Sequence, residues 1–267
     1  MTIPRVLSIA GSAAHGSAGI QADLKTFQER DVYGMAAITA IVANVANANK
    51  NIFIQELEAI EAQYYTSVEN VGVDAIKTGM LFSKEIIELV VKLLKHTDIN
   101  NIVVDPVMIG KMGSQLLKDD AIDSMIVQLF PLAKIITPNL HEAARITRIK
   151  KIDSVADMRE AAKRLYELGP DNVLIKGGAL KNAAIDLLYN GKEFVVLEVE
   201  RIPTVHTSGA GCSYSAAIAA EISKGKSVEE AVRLGKKYVT AAIKHALAFN
   251  KGIGSTYHAA YRKSGEE

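Results

Sequence analysis

Short runs rich in β-branched residues alternate along this chain with longer amphipathic stretches, and that alternation leaves few folds open. Residues 6–10, 37–43, 75–77, 102–105, 135–137 and 173–176 read as strands. Residues 19–30, 84–95, 119–128, 142–146, 154–168, 212–223 and 227–246 read as helices, several opened by a Ser or Asp cap. Strands separated by helices pair in parallel through crossovers, and a parallel sheet is covered on both faces. The pattern predicts an α/β chain with a central, mostly parallel sheet between two helical layers, as a single domain over residues 1–267. Residues 184–190 and 194–199 read as an antiparallel hairpin turning at Asn190-Gly191, and only the tail after Tyr261 reads as loose.

Composition removes several function classes. The net charge of +1 arises from 31 basic and 30 acidic residues without long runs, so no electrostatic footprint for nucleic acid is present. One cysteine excludes an internal disulfide, and the start of the chain runs into a strand-like segment without a charged and then apolar leader, which makes the cytoplasm the expected location. The least polar window, 33–48, is interrupted by Asn44 and Asn47 and falls short of the ~20 apolar residues of a membrane helix; it reads as a buried strand with its approaches.

In parallel sheets ligands sit beyond the carboxyl ends of the strands, and chemistry-bearing loops cluster at those ends here. Thr207-Ser208-Gly209-Ala210-Gly211-Cys212 leads straight into a helix-forming segment, which is how a chain presents unpaired N–H groups and a helix dipole to an anion. The same field is expected to lower the Cys212 pKa below its free value of about 8.5; the plainer reading is a glycine turn with a small buried cysteine. Gly11-Ser12-Ala13-Ala14-His15-Gly16-Ser17-Ala18-Gly19 lets a ligand approach the backbone but is neither a P-loop nor a G-x-G-x-x-G spacing. His15 in it reads as a loop histidine, with no second His or Cys at metal-ligand spacing. Asn139 reads as a helix cap with Glu142 in the first turn, or as part of a site where Glu142 positions hydrated Mg²⁺ against phosphate. Asp105 supplies a second carboxylate, and Lys176-Gly177-Gly178 ends a strand in a cation and a flexible turn, or simply in a solvated lysine.

Taken together, Gly11-Ser12, Ala18-Gly19-Ile20-Gln21-Ala22-Asp23-Leu24-Lys25-Thr26-Phe27, Lys77-Thr78-Gly79-Met80-Leu81, Asp105-Pro106-Val107-Met108, Thr137-Pro138-Asn139-Leu140, Lys176-Gly177-Gly178 and Gly209-Ala210-Gly211-Cys212 resemble the hydroxymethylpyrimidine kinase and pyridoxal kinase group of the ribokinase-like superfamily, over nearly the full length. The resemblance implies a three-layer α/β/α sandwich and transfer of the γ-phosphoryl of ATP to a ring-bound hydroxymethyl group. It also implies that Gly209, Ala210, Gly211 and Cys212 form the catalytic anion hole, with Cys212 where sugar-kinase relatives carry an aspartate base. Asn139 and Glu142 match the pattern for Mg²⁺ and triphosphate, Asp105 assists at the metal, and Lys176, Gly178, Gly209 and Gly211 lie near the nucleotide. Gly11, Asp23, Asn44, Gly79, Met80 and Val107 match acceptor-pocket positions. Relatives are commonly dimers, which implies a homodimer here.

Pyridoxal and aminopyrimidine rings are both flat heterocycles bearing a primary alcohol, so a few polar contacts decide between them. By resemblance, Ala210, Asn44 and the segments Phe27-Gln28-Glu29 and Tyr33-Gly34-Met35 lean towards pyridoxal. Gly110, where such pyridoxal kinases carry a lid cysteine, and Lys251-Gly252-Ile253-Gly254 lean towards the pyrimidine kinases of thiamine biosynthesis. Ala13, Ala14, His15 and Ser208 depart from the usual Asp, Ser and His of relatives, which leaves open a nucleotide- or vitamin-binding protein with little turnover. A cysteine hydrolase pairing Cys212 with His206 is a further alternative; it predicts an acyl-enzyme and indifference to ATP.

Overall fold

The computed structural model describes residues 2–43, 51–109, 116–180 and 184–265. Its strands are β1 (Arg5–Ala13), β2 (Tyr33–Val42), β3 (Ile52–Ile54), β4 (Ala75–Thr78), β5 (Ile102–Val104), β6 (Ile135–Ile136), β7 (Val173–Gly177), β8 (Ala184–Tyr189) and β9 (Phe194–Val199). They form one sheet in the order β3-β2-β1-β4-β5-β6-β7-β8-β9. From β2 to β7 every pairing is parallel, while β3 at one edge and the β8–β9 hairpin at the other run antiparallel. The expected hairpin therefore extends the sheet beside β7.

Alternation along each strand assigns the two faces. Leu7, Ile9, Ile76, Val104, Ile136 and Ile175 point into one core, and Val6, Ala75, Val103, Ile135 and Leu174 into the other. The first core is closed by α2 (Leu57–Asn70), α3 (Lys84–Lys95), α5 (Leu140–Thr147) and α6 (Val155–Tyr166). The second is closed by α1 (Gly19–Glu29), α7 (Ala210–Ser223) and α8 (Val228–Lys244). Among the described residues no helix is long and apolar enough to cross a membrane.

Three local expectations are corrected. The α2 helix was not anticipated, because its buried face consists of Ile60, Tyr64 and Ser67 alone, too thin a stripe to read as amphipathic. The helix expected over 119–128 is α4 (Asp119–Ser124) followed by a π-helical turn, Met125–Leu129, and a 3₁₀ turn containing Pro131, whose missing N–H breaks the α-helical ladder. The tail is not loose from Tyr261: α9 (Ala260–Ser264) holds Tyr261 buried near Tyr238, and Arg262 forks onto Glu29.

Topology also fixes where a ligand can enter. β1 pairs with β2 on one side and β4 on the other, so successive strands run outwards in opposite directions from this point and their connections leave a crevice at the carboxyl ends. Gly11 lies near the end of β1 and Gly79 directly follows β4, on the two lips of that crevice.

Candidate active site

Two buried ion pairs occupy the strand ends. Lys77 on β4, fully buried, donates to both carboxylate oxygens of Asp23 on α1 at 3.0 and 2.8 Å, and the Ser8 hydroxyl donates to the same carboxylate at 2.6 Å. Past β5, Asp105 Oδ1 accepts from Lys176 Nζ at 2.7 Å and from Thr137 Oγ1 at 3.3 Å, while Oδ2 accepts from Ser215 Oγ on α7 at 3.1 Å. Burial works to raise the Asp105 carboxyl, but Lys176, Lys77 and these hydrogen bonds outweigh it and hold the pKa below the usual range. Lys77 and Lys176 stay charged for the converse reason: burial disfavours their ammoniums, yet the facing carboxylates raise both pKa values.

Asn139 and Glu142 realise the capping reading in full. Asn139 Oδ1 accepts from the N–H groups of His141 and Glu142 at 2.9 Å, and Glu142 Oε2 accepts from Asn139 N–H at 2.8 Å. The other oxygen, Oε1, reaches Met108 N–H at 3.4 Å, so Glu142 is also aimed towards the Asp105 loop. Burial pushes its pKa up to about 7, against the pull of Lys176 and with the repulsion of Asp105. A short bridge between Asn139 and Lys176 brings the ends of β6 and β7 together. Asp105, Glu142 and Lys176 therefore lie together at the ends of β5, β6 and β7.

The turn before α7 packs against that cluster. Gly209 has φ 82°, a left-handed conformation, and a side chain there would overlap the Ser17 carbonyl. Ala210 N–H is spent on the Thr207 carbonyl at 3.2 Å, whereas the N–H groups of Gly209, Gly211 and Cys212 have no protein acceptor among the described residues. A Cβ on Gly211 would lie 3.3 Å from Lys176 Nζ, so the lysine ammonium rests against the first turn of the helix. Gly178 borders open space.

The expectation for Cys212 is overturned. Its thiol is half-buried at the helix start, and burial pushes its pKa up; Lys77 and the Gly19 N–H pull the other way, but Asp105 and Asp23 add to the rise. The fraction of a positive charge at a helix N-terminus is outweighed by desolvation and two carboxylates. Cys212 is a thiol at neutral pH.

On the acceptor side, Gly11 packs so closely that a Cβ would come 2.8 Å from the Met80 methyl, and one on Gly79 would come 2.9 Å from Lys77 Nζ. Thr39 donates to the Met80 carbonyl at 2.7 Å, fixing this corner, and Val107 N–H turns back onto the Asp105 carbonyl at 2.8 Å. Gly11, Gly79, Met80 and Val107 thus frame the crevice, whereas Asp23 lies fully buried beneath it in its ion pair. Asn44 and Gly110 fall outside the described residues. Ala13 is buried and Ala14 exposed. Ser208 and His15 are joined through Ser17, each contact 2.8 Å. His206 Nδ1 accepts from Gly254 N–H at 2.9 Å, which ties the imidazole to the segment after α8 and leaves the Cys212 pairing unsupported.

Lys77, Thr137 and Ser215 carry much of the site's electrostatics and were given no role from sequence. Lys77 and Thr137 lie inside the motifs that carry the family resemblance, and a lysine inside an otherwise apolar strand run is the signal the sequence offers. Among the described residues no group of three or more His, Cys, Asp or Glu could hold a metal by itself. Asp105 and Glu142 nevertheless fit Mg²⁺, an ion that takes one or two carboxylates and keeps water and phosphate oxygens for the rest; a buried carboxyl held near 7 beside a second carboxylate is a place where an added cation is stabilised.

The family model described as phosphomethylpyrimidine kinase matches residues 14–257. The chain is 46% identical over 266 residues to a pyridoxine kinase of Bacillus subtilis, covering 98% of each chain. It is 43% identical over 258 residues to a hydroxymethylpyrimidine/phosphomethylpyrimidine kinase of Streptomyces coelicolor, covering 97% of this chain and 95% of the other. The fold superposes with a TM-score of 0.91 on the pyridoxal kinase from Staphylococcus aureus in complex with AMP-PCP and pyridoxal, 38% identical, over 98% of this chain and 96% of that one.

Proposed function

The chain belongs to the phosphomethylpyrimidine kinase family, with the ribokinase-like fold, and we propose that it transfers the γ-phosphoryl of ATP to the hydroxymethyl group of pyridoxal and related vitamers. The observation that carries this reading is convergence at one spot: Lys176, three free N–H groups before and in the first turn of α7, and the Asp105–Glu142 pair lie together at the carboxyl ends of the strands. Phosphoryl transfer demands little covalent chemistry of a protein and much positioning and charge stabilisation, which this set supplies.

Asp105 and Glu142 would hold Mg²⁺, which when bound supplies positive charge to the phosphate oxygens. Lys176 and the N–H groups of Gly209, Gly211 and Cys212 stabilise negative charge on the transferred group. Gly11, Gly79, Met80 and Val107 hold the acceptor ring so that its hydroxyl oxygen faces the γ-phosphorus. As that oxygen bonds to phosphorus, the bond to the β–γ bridging oxygen breaks and ADP leaves; the hydroxyl proton passes to Cys212 in the fraction of molecules that carry it as the thiolate, a fraction that grows with pH. Asp23 and Lys77 form the rigid floor. Asn44, Asn139 and Gly178 complete the acceptor and nucleotide contacts in this proposal. The protein is taken to act as one cytoplasmic kinase domain and as a homodimer, for which exposed Ile54 and Leu57 beside the edge strand offer an apolar face.

Pyridoxal is favoured by the Bacillus pyridoxine kinase and by the fit to the Staphylococcus enzyme that holds pyridoxal. Hydroxymethylpyrimidine remains the second reading, favoured by the description of the family model and by the Streptomyces relative. ADP release with Mg²⁺–ATP, measured side by side with pyridoxal, pyridoxine, hydroxymethylpyrimidine and its monophosphate, decides between them. Turnover with the B6 vitamers is expected; turnover with the pyrimidines alone selects the second reading, and silence with all four refutes the kinase assignment.

A further inference from the structure

A second cavity of about 520 Å³ lies between α1 and the segment 247–259, within the range of small-molecule sites. None of the residues assigned to nucleotide, metal or acceptor lines it. Three of its lining residues nonetheless reach the anion-binding turn by hydrogen bonds. His15 meets Ser17, which meets Ser208; Thr256 N–H donates to the Ser208 carbonyl at 3.2 Å; and His258 Nε2 meets Ser213 Oγ at 3.0 Å.

His258 is the polar group of the cavity that lacks a full set of partners. It is 6% exposed, and its Nδ1 has no protein partner among the described residues. Burial, with the Lys25 ammonium nearby and against Glu29, holds its pKa down to about 4, so the ring is neutral and Nδ1 is left to an occupant. The charges around the cavity do not cancel. Lys25 Nζ donates to the Gly16 carbonyl at 2.7 Å and has no carboxylate partner among the described residues, whereas the Glu29 carboxylate is taken by Arg262 at 2.9 and 3.1 Å. Phe249 and Tyr257 give the walls an aromatic character, and Phe249 is 37% exposed. One unmatched cation, one neutral imidazole and two aromatic rings fit a flat aromatic ligand with a single negative charge.

We propose that this cavity is a second ligand site for a planar aromatic monoanion, and that its occupancy acts on the Ser208–Ser213 turn through His15, Thr256 and His258. The binding claim stands on the cavity alone; the effect on turnover rests on the proposed kinase activity. The probe is 8-anilinonaphthalene-1-sulfonate, an aromatic monoanion with a planar naphthalene ring whose fluorescence rises on binding, titrated into the full chain with AMP-PCP and pyridoxal saturating. One saturable site is expected to persist, weakened at least tenfold by Lys25→Gln and by Phe249→Ala, while ADP release by both variants without dye stays within twofold of the parent. Added dye is expected to change kcat of the parent and to lose that effect in the variants. Displacement of the dye by AMP-PCP or pyridoxal, or equal binding to all three proteins, overturns the site. Unchanged kcat with dye bound overturns the coupling alone, and a protein without kinase activity still reports on binding.

Discussion

A thiolate at Cys212 has to form against desolvation and against the carboxylates of Asp105 and Asp23, with Lys77 and the Gly19 amide in its favour. If that thiolate is the base, turnover rises with pH through the alkaline range, and alkylation of the free thiol by iodoacetamide follows the same curve; a rate that is flat from neutral pH upwards removes Cys212 from the proton transfer. Cys212→Ala is then expected to lower kcat by about 10²–10⁴, the range of a general base, with little change in nucleotide affinity. Glu142→Gln keeps the shape of the carboxyl and removes its charge, so a higher Mg²⁺ requirement for ADP release is expected; a superimposable Mg²⁺ titration excludes Glu142 from the metal. At this scale the sequence showed residues that sit beside local punctuation. Asp105 precedes a proline, Glu142 follows its cap by three residues, and Cys212 ends a glycine turn. It did not show the pairings. Lys77 meets Asp23 across 54 positions and Lys176 meets Asp105 across 71, contacts that exist only once the sheet is assembled. The rise at Cys212 comes first from burial and then from the carboxylates of Asp105 and Asp23, both of which exist only in the assembled fold.

Elements place these residues through their ends rather than their lengths. Gly209 is the N-cap of α7 in a left-handed conformation that costs other residues roughly 1–2 kcal/mol, and a side chain there also collides with the Ser17 carbonyl. Gly209→Ala is expected to lower stability by at least that amount and to weaken ATP binding, whereas Gly178→Ala, which meets nothing within 4 Å, leaves the melting midpoint within experimental scatter. Equal melting midpoints for the two variants would contradict the close packing of the turn. Ser227 closes α8 with a complete capping box to Glu230, and Ser227→Ala is expected to cost about 1 kcal/mol by chemical denaturation. Elements with a broad apolar stripe or a cap were legible in advance, as α3, α6 and α8 show. α2 and β3 were not. The first buries a narrow stripe, and the second, Ile52-Phe53-Ile54, has strand-favouring residues but only three of them, too short a run to read as an element.

The molecule as a whole is one sheet with two separate cores, and the alternating strand and helix pattern predicted that layering without indicating the strand order. The order matters because it sets the crevice between β1 and β4, where the proposed acceptor site meets the proposed phosphate site. Global stability also reports on a titratable group outside the sequence motifs. His258 is neutral when folded, with a pKa of about 4 against an ordinary value of 6.5, so the unfolded chain binds the extra proton first as pH falls. Its contribution is complete above pH 6.5 and is lost as pH drops from there towards 4, by at most about 3 kcal/mol. The unfolding free energy of His258→Gln is therefore expected to decline less than that of the parent between pH 7 and 5; parallel declines would show that the imidazole is not buried. Phosphoryl transfer itself is tested most directly by competition, with equal pyridoxal and hydroxymethylpyrimidine, limiting Mg²⁺–ATP and phosphorus NMR of the products. The expected spectrum shows one phosphate ester formed per ADP, mainly on the pyridoxal hydroxymethyl group; the absence of an ester on either ring would contradict the assignment of this site as a kinase.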